Sequence, residues 1–139
     1  MQCRFCNLEE TEMQRIVEVL SLCTVIFSNP RLMHGHLLVI PKRHVLSLNE
    51  LDNSEKKELF DTAIRYQEKI LKQIASGCDL RQHNRPFVAE NDLKVDHVHI
   101  HLQPRELDDE LYMKSQKNSR AIFKPLKEEE VQKMLQILK

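Results

Sequence analysis

The spacing of apolar positions changes along the chain, and each change marks an element. Residues 15–19 carry Ile16, Val17 and Val19, and residues 24–27 are β-branched and aromatic; both stretches predict strands. The short segment between them turns a hairpin without the usual Gly or Asn. Asn29-Pro30 is a loop signal, and Leu37, Leu38, Val39 and Ile40 form a short buried-type strand stopped by Pro41. Leu59, Phe60, Ala63, Ile64, Tyr66, Ile70, Leu71 and Ile74 then recur at helical spacing. They predict an amphipathic helix over residues 54–76, capped by Asp52 or Asn53 and stopped at Gly77. Residues 80–87 are a poor strand by composition but sit where one is needed, whereas residues 95–102 alternate strictly and are the clearest strand. Val131, Met134, Leu135 and Leu138 share one face of a terminal helix, Glu128–Leu138. The order β-β-β-α-β-β-α predicts an α+β fold: a mainly antiparallel sheet of about five strands, one long helix packed on it and a C-terminal helix.

A chain of 139 residues is expected to form one domain with a core that needs no disulfides. With 41% hydrophobic and 30% charged residues, it is neither a disordered tail nor a disulfide miniprotein. Lys and Arg number 21, as do Asp and Glu, so no global basic field draws in nucleic acid or an anionic membrane, and neither is expected as a partner. The longest wholly apolar stretch, residues 37–40, is too short to span a bilayer, and Met1-Gln2-Cys3-Arg4-Phe5-Cys6 lacks the apolar run of a signal peptide. A cytoplasmic chain with reduced or metal-bound cysteines is therefore expected.

The histidines are not scattered. His97, His99 and His101 stand at i, i+2 and i+4 of the clearest strand, with Val98, Ile100 and Leu102 between them. On a strand, such imidazoles share one face at intervals of about 6.5–7 Å. Each neutral ring has a donor and an acceptor to satisfy, which makes three in a row poor core material. Two chemical readings remain. The imidazoles hold one metal, or one of them is a nucleophile whose neighbours handle protons and anionic oxygens. A second segment, from His34 through Gly35, His36, Lys42 and Arg43 to His44, adds imidazoles and cations but no carboxylate, which suits an anionic substrate such as phosphate.

The run His97-Val98-His99-Ile100-His101-Leu102-Gln103 resembles the signature of the histidine triad family, and Gly35-His36 with Pro41-Lys42-Arg43-His44 resembles that family's second hallmark. The resemblance covers residues 1–106 and leaves 107–139 as an extension carrying the terminal helix. It implies a nucleotide hydrolase or transferase that attacks an α-phosphate through a nucleotidyl-histidine intermediate. His99 matches the nucleophile, and His101 and His36 match the flanking histidines around the phosphate. Phe5, Leu8, Phe27 and Leu38 match apolar positions of the base pocket, and each is equally ordinary core. The ribose contact falls at Ser28 or Asn29, where the family usually has Asp or Asn. The family's Gly-rich phosphate loop is missing; Lys94 stands at its hydroxyl position, with Arg81, Gln82 and Asn84 as the nearest other polar replacements. The expected substrate is a dinucleoside polyphosphate or a nucleoside phosphoramidate. The alternatives are a metallohydrolase using the triad as ligands and a nucleotide-binding protein without turnover. The family also implies a homodimer, consistent with helix apolar positions that spread wider than one stripe.

Cys3-Arg4-Phe5-Cys6 is half of a zinc site by spacing. Bacterial-type members of the family complete such a site with the residues matching His44 and His97, which implies a structural zinc here and no organic cofactor. Otherwise the pair is two reduced thiols, packed as Cys23 and Cys78 are expected to be.

Overall fold

The computed structural model describes residues 3–139; Met1 and Gln2, part of the segment read for a leader, lie outside the described residues. The chain divides into two compact units, one running to Leu107 and the other spanning Asp108–Lys139. The first holds a five-stranded antiparallel sheet in the order β1-β2-β3-β5-β4, built from β1 (Ile16–Val19), β2 (Cys23–Phe27), β3 (Leu37–Pro41), β4 (Gly77–Arg81) and β5 (Ile100–Arg105). A short helix, α1 (Leu8–Thr11), precedes β1, and the long helix α2 (Asn53–Gln73) joins β3 to β4. The second unit contains irregular helical turns and α3 (Glu128–Leu138), which has no buried residue. Among the described residues, no helix is long and apolar enough to cross a membrane.

Both faces of the sheet are covered, which is why β3 reads as an unbroken apolar run. Val25, Leu37, Val39, Ile100 and Leu102 pack with Leu59, Ala63, Tyr66 and Ile70 of α2. On the opposite face, Ile26, Leu38 and Ile40 pack with Phe5 and Leu8. Full burial of a side chain of this size contributes roughly 1.5–3 kcal/mol. Asp52 caps α2: its side chain accepts from the Glu55 amide at 2.8 Å, and Glu55 reaches back to the Asp52 amide at 3.0 Å.

Three boundaries differ from the sequence reading. The long helix ends at Gln73 rather than residue 76, and Gly77 opens β4 instead of stopping the helix. β4 therefore starts three residues ahead of the expected 80–87 and ends at Arg81, and residues 82–87, with Pro86 and few apolar side chains, form no ladder. The triad strand is displaced in the other direction. Residues 95–99 are irregular, and β5 begins at Ile100. β3 ends at Pro41, which has no amide to offer a longer ladder, and the Val98 amide bonds instead to the Val45 carbonyl at 2.8 Å. β5 then runs past the triad to Arg105, pairing with β4 alone beyond Leu102.

Candidate active site and metal centre

The late start of β5 sorts the triad. His97, 2% exposed, faces the N-terminal cysteines, whereas His99 and His101 line an open cleft of about 520 Å³ on the face opposite α2. Phe5, Leu38, Leu93 and Val95 give this cleft an apolar wall, and His36, Ser28, Asn29, His83 and Gln103 supply polar groups. His36 is placed by Gly35, whose φ of 82° suits glycine and where an added Cβ would come within 3.1 Å of Ile74.

The hydrogen bonds fix which ring nitrogen carries each proton. The Leu32 amide donates to His36 Nδ1 at 3.1 Å, so the proton of neutral His36 sits on Nε2. That nitrogen lies 3.0 Å from His101 Nδ1 and donates to it, which leaves the His101 proton on Nε2. His99 Nδ1 donates to the His97 carbonyl at 2.7 Å, so His99 Nε2 keeps a free lone pair. Neutrality follows from burial. Desolvation pushes His36 down to about 4, helped by His99, and pushes His101 down to about 3, helped by His99, His36, His83 and Arg81. Burial also lowers His99, against the opposing pull of the His97 carbonyl. The cleft therefore presents one imidazole lone pair beside one imidazole N–H. The rings of Phe5 and His99 pack in a T-shaped contact with centroids 5.2 Å apart.

Cys3, Cys6, His44 and His97 bring four ligand atoms within 4.8 Å of one another. Cys3 Sγ lies 3.4 Å from His97 Nδ1, Cys6 Sγ lies 3.4 Å from His44 Nδ1, and Cys6 Sγ lies 3.8 Å from His97 Nδ1. Ligand atoms of a tetrahedral zinc stand about 3.3–3.8 Å apart, from Zn–S of about 2.3 Å and Zn–N of about 2.0–2.1 Å, so these three pairs match, and pairs as wide as 4.8 Å need only a small side-chain closure for the set to fit. His97 Nε2 donates to the Pro41 carbonyl at 2.7 Å, which turns its Nδ1 lone pair toward the sulfurs. Among the described residues this is the one group of its kind; of the triad only His97 belongs to it, so the triad does not converge on a single ion.

The cleft brings together His36, His99, His101, Phe5, Ser28, Asn29 and Leu38. Leu8 lies behind the wall, 5% exposed, within the core formed with Phe5 and Ile26. Phe27 shares the α2 face with Val25 by strand alternation, and the β2 residue on the cleft face is Ile26. Gln82 donates to the His83 carbonyl at 2.9 Å and does not line the cleft. Lys94 is also outside it: its ammonium donates to the Arg85 and Val88 carbonyls and pairs with Asp96 at 3.0 Å, anchoring the 85–94 loop. Beyond residues of the cleft rim and wall such as Arg15, Arg31, Leu93 and Val95, the sequence reading missed two polar groups beside the triad. His83 stands with its ring 5.3 Å from that of His101, and Gln103 follows the triad by one more step of two. The period that placed His97, His99 and His101 on one face was the signal for Gln103.

The comparisons agree with this geometry. A Bis(5'-nucleosyl)-tetraphosphatase [asymmetrical] of Schizosaccharomyces pombe is 32% identical over 80 residues, 56% of this chain but 42% of its own length. The chain thus spans less than half of that relative. In structure the chain resembles a HIT family protein of Bacillus subtilis, with a TM-score of 0.73, 20% identity, and 99% of this chain and 95% of that one covered. It also resembles a Zn-bound histidine triad family protein of Mycobacterium smegmatis, with a TM-score of 0.66, 22% identity and 80% of each chain covered. The HIT domain profile matches residues 9–108, spanning most of the chain, every strand and the cleft apart from its N-terminal wall at Arg4 and Phe5, and the chain belongs to the HIT domain family.

Proposed function

We propose that the chain is a nucleotide hydrolase acting at the α-phosphate of a dinucleoside polyphosphate or a nucleoside phosphoramidate. The observation that carries this reading is the pairing of a lone pair on His99 Nε2 with an N–H on His101 Nε2 in one cleft. His99 Nε2 attacks phosphorus; the P–N bond forms as the bond to the leaving oxygen or nitrogen breaks. The proton stays on His99 Nδ1, hydrogen-bonded to the His97 carbonyl, which steadies the positive ring that develops. His101 Nε2–H donates to the phosphate oxygens or the leaving atom, and His36 holds it in that tautomer. Water then cleaves the P–N bond, its hydroxyl joining phosphorus and its proton balancing the one the leaving group takes up from solvent, which releases a nucleoside monophosphate and neutral His99. Phe5 and Leu38 flank the base, while Ser28 or Asn29 meets the ribose.

A turnover screen of adenosine and guanosine phosphoramidates and dinucleoside polyphosphates tests the reading. Turnover of one class that disappears in His99→Ala, with nucleotide binding retained, is the expected result. Near-normal turnover in His99→Ala would overturn the mechanism.

Zinc on Cys3, Cys6, His44 and His97 has a structural role in this reading. The donor set has no open position, and a metal there would supply only a tie between the N-terminal segment, the loop after β3 and the chain ahead of β5. A homodimer is also part of the reading, because Phe60, Ile64, Leu71 and Ile74 leave an apolar face of the first unit exposed, and β4 is an edge strand. Sedimentation giving only a 16.5 kDa species at micromolar concentration would rule it out.

A further inference from the structure

Gln103 is 2% exposed, lines the cleft, and its Oε1 has no hydrogen-bond partner among the described residues. Leaving a buried amide oxygen without a donor is costly, and an apolar residue would serve the packing of a strand better. The position is not remote from the chemistry. It lies one two-residue step, about 6.5–7 Å, past His101 on the same face of β5. β3 and β5 pair Leu37 with Leu102, so the same register carried one residue further brings Gln103 beside His36. Ser28, Asn29 and His36 line the cleft together with Gln103. The Ser28 hydroxyl is already committed, donating to the Pro30 carbonyl at 2.8 Å. Ser28 thus has no proton left to satisfy Gln103 Oε1, which needs a donor from outside the chain.

We propose that Gln103 is a specificity-determining residue that accepts a hydrogen bond from a ribose hydroxyl of the bound nucleotide. This rests on the nucleotide reading above. With phosphorus held between His99 and His101, the sugar hydroxyls of the same nucleotide fall within a step of that centre, and a hydroxyl provides the donor Oε1 lacks. A deoxy analogue leaves the amide oxygen buried and unpaired again, so discrimination is built into the unliganded fold.

The test is calorimetric binding of adenosine and guanosine 5′-monophosphates against their 2′-deoxy and 3′-deoxy counterparts, which requires no turnover. The intact protein should bind a ribonucleotide about tenfold to a hundredfold more tightly than one of its deoxy forms, the range expected when a buried acceptor loses its donor. Gln103→Leu should reduce that ratio to within about twofold while still binding the deoxy form. Gln103→Met, closer in shape, is the second variant, and thermal unfolding of both verifies that they fold. Equal binding of ribo and deoxy forms by the intact protein, or an undiminished ratio in both Gln103 variants, overturns the assignment and leaves the hydrolase reading standing. Failure of every nucleotide to bind overturns both.

Discussion

Acid should weaken this fold through its neutral imidazoles before its carboxylates protonate. His36 is pushed down to about 4 and His101 to about 3, both chiefly by burial. In the unfolded chain each returns to an ordinary value of about 6.5. The sign follows: between those values the unfolded chain binds more protons than the folded one, so stability is fully present above about pH 6.5 and is lost as pH falls toward the folded-state values. Integrated from pH 7 to pH 5, each histidine costs about 2 kcal/mol, or roughly 4 for the pair. Against a typical total of about 5–15 kcal/mol, that is a large fraction. Glu18, held below the usual carboxylate range first by the Tyr66 hydroxyl, and Glu55, held there first by Arg43, add their losses only nearer pH 4 and below. Urea unfolding at pH 7, 6 and 5 and constant ionic strength measures the effect, provided the slope against urea stays constant. His101→Gln is the informative comparison, because both proteins retain Cys3, Cys6, His44 and His97 and any proton competition at those ligands cancels. The variant should lose about 2 kcal/mol less than the parent over this range. Equal losses in the two proteins would refute the claim that His101 is buried neutral.

Leu59→Ala, at a fully buried position between α2 and the sheet, should cost about 2–5 kcal/mol in chemical unfolding. Asp52→Ala removes the α2 cap and should cost about 1 kcal/mol by the same measurement. Chelation or Cys6→Ser should lower the unfolding temperature before activity is lost in still-folded protein, and elemental analysis of protein purified without chelator should find one zinc per chain.

The fold was legible wherever one face of an element is wet. α2 showed its period because Leu59, Ala63, Tyr66 and Ile70 face the sheet while the charged residues face away. β3 was legible for the opposite reason, being buried on both sides. Periodicity failed where a side chain outside the ladder set the backbone. Residues 95–99 alternate as a strand does, yet His97 and His99 spend their ring nitrogens on the carbonyls of Pro41 and His97 rather than standing on a paired strand. The four proposed metal ligands were all named from spacing and resemblance, and the structure brings them together. Phe27 was named from the resemblance, and only the structure shows that Ile26, not Phe27, lies on the sheet face that carries the cleft, buried beside Leu38. Lys94 could not be read at all: its three oxygen partners come from Arg85, Val88 and Asp96, and nothing local in sequence announces that loop.

The central pair of the sheet, β3 and β5, joins segments that the chain makes far apart. His36 and His101 are separated by 65 positions and Cys3 and His97 by 94, so closing either contact costs on the order of 4 kcal/mol in loop entropy before it returns anything. β1, β2 and β3, by contrast, are sequence neighbours and can pair as a meander early. A chain still on the ribosome, or a refolding chain stalled at that meander, would carry His36 with no His101 to accept its hydrogen bond and, on the proposed mechanism, no His99 to attack. On the proposed mechanism, catalytic competence arrives with the last strand rather than accumulating along the way, and recovery of the proposed turnover on refolding would report docking of β5 where far-ultraviolet signals would already report much of the secondary structure.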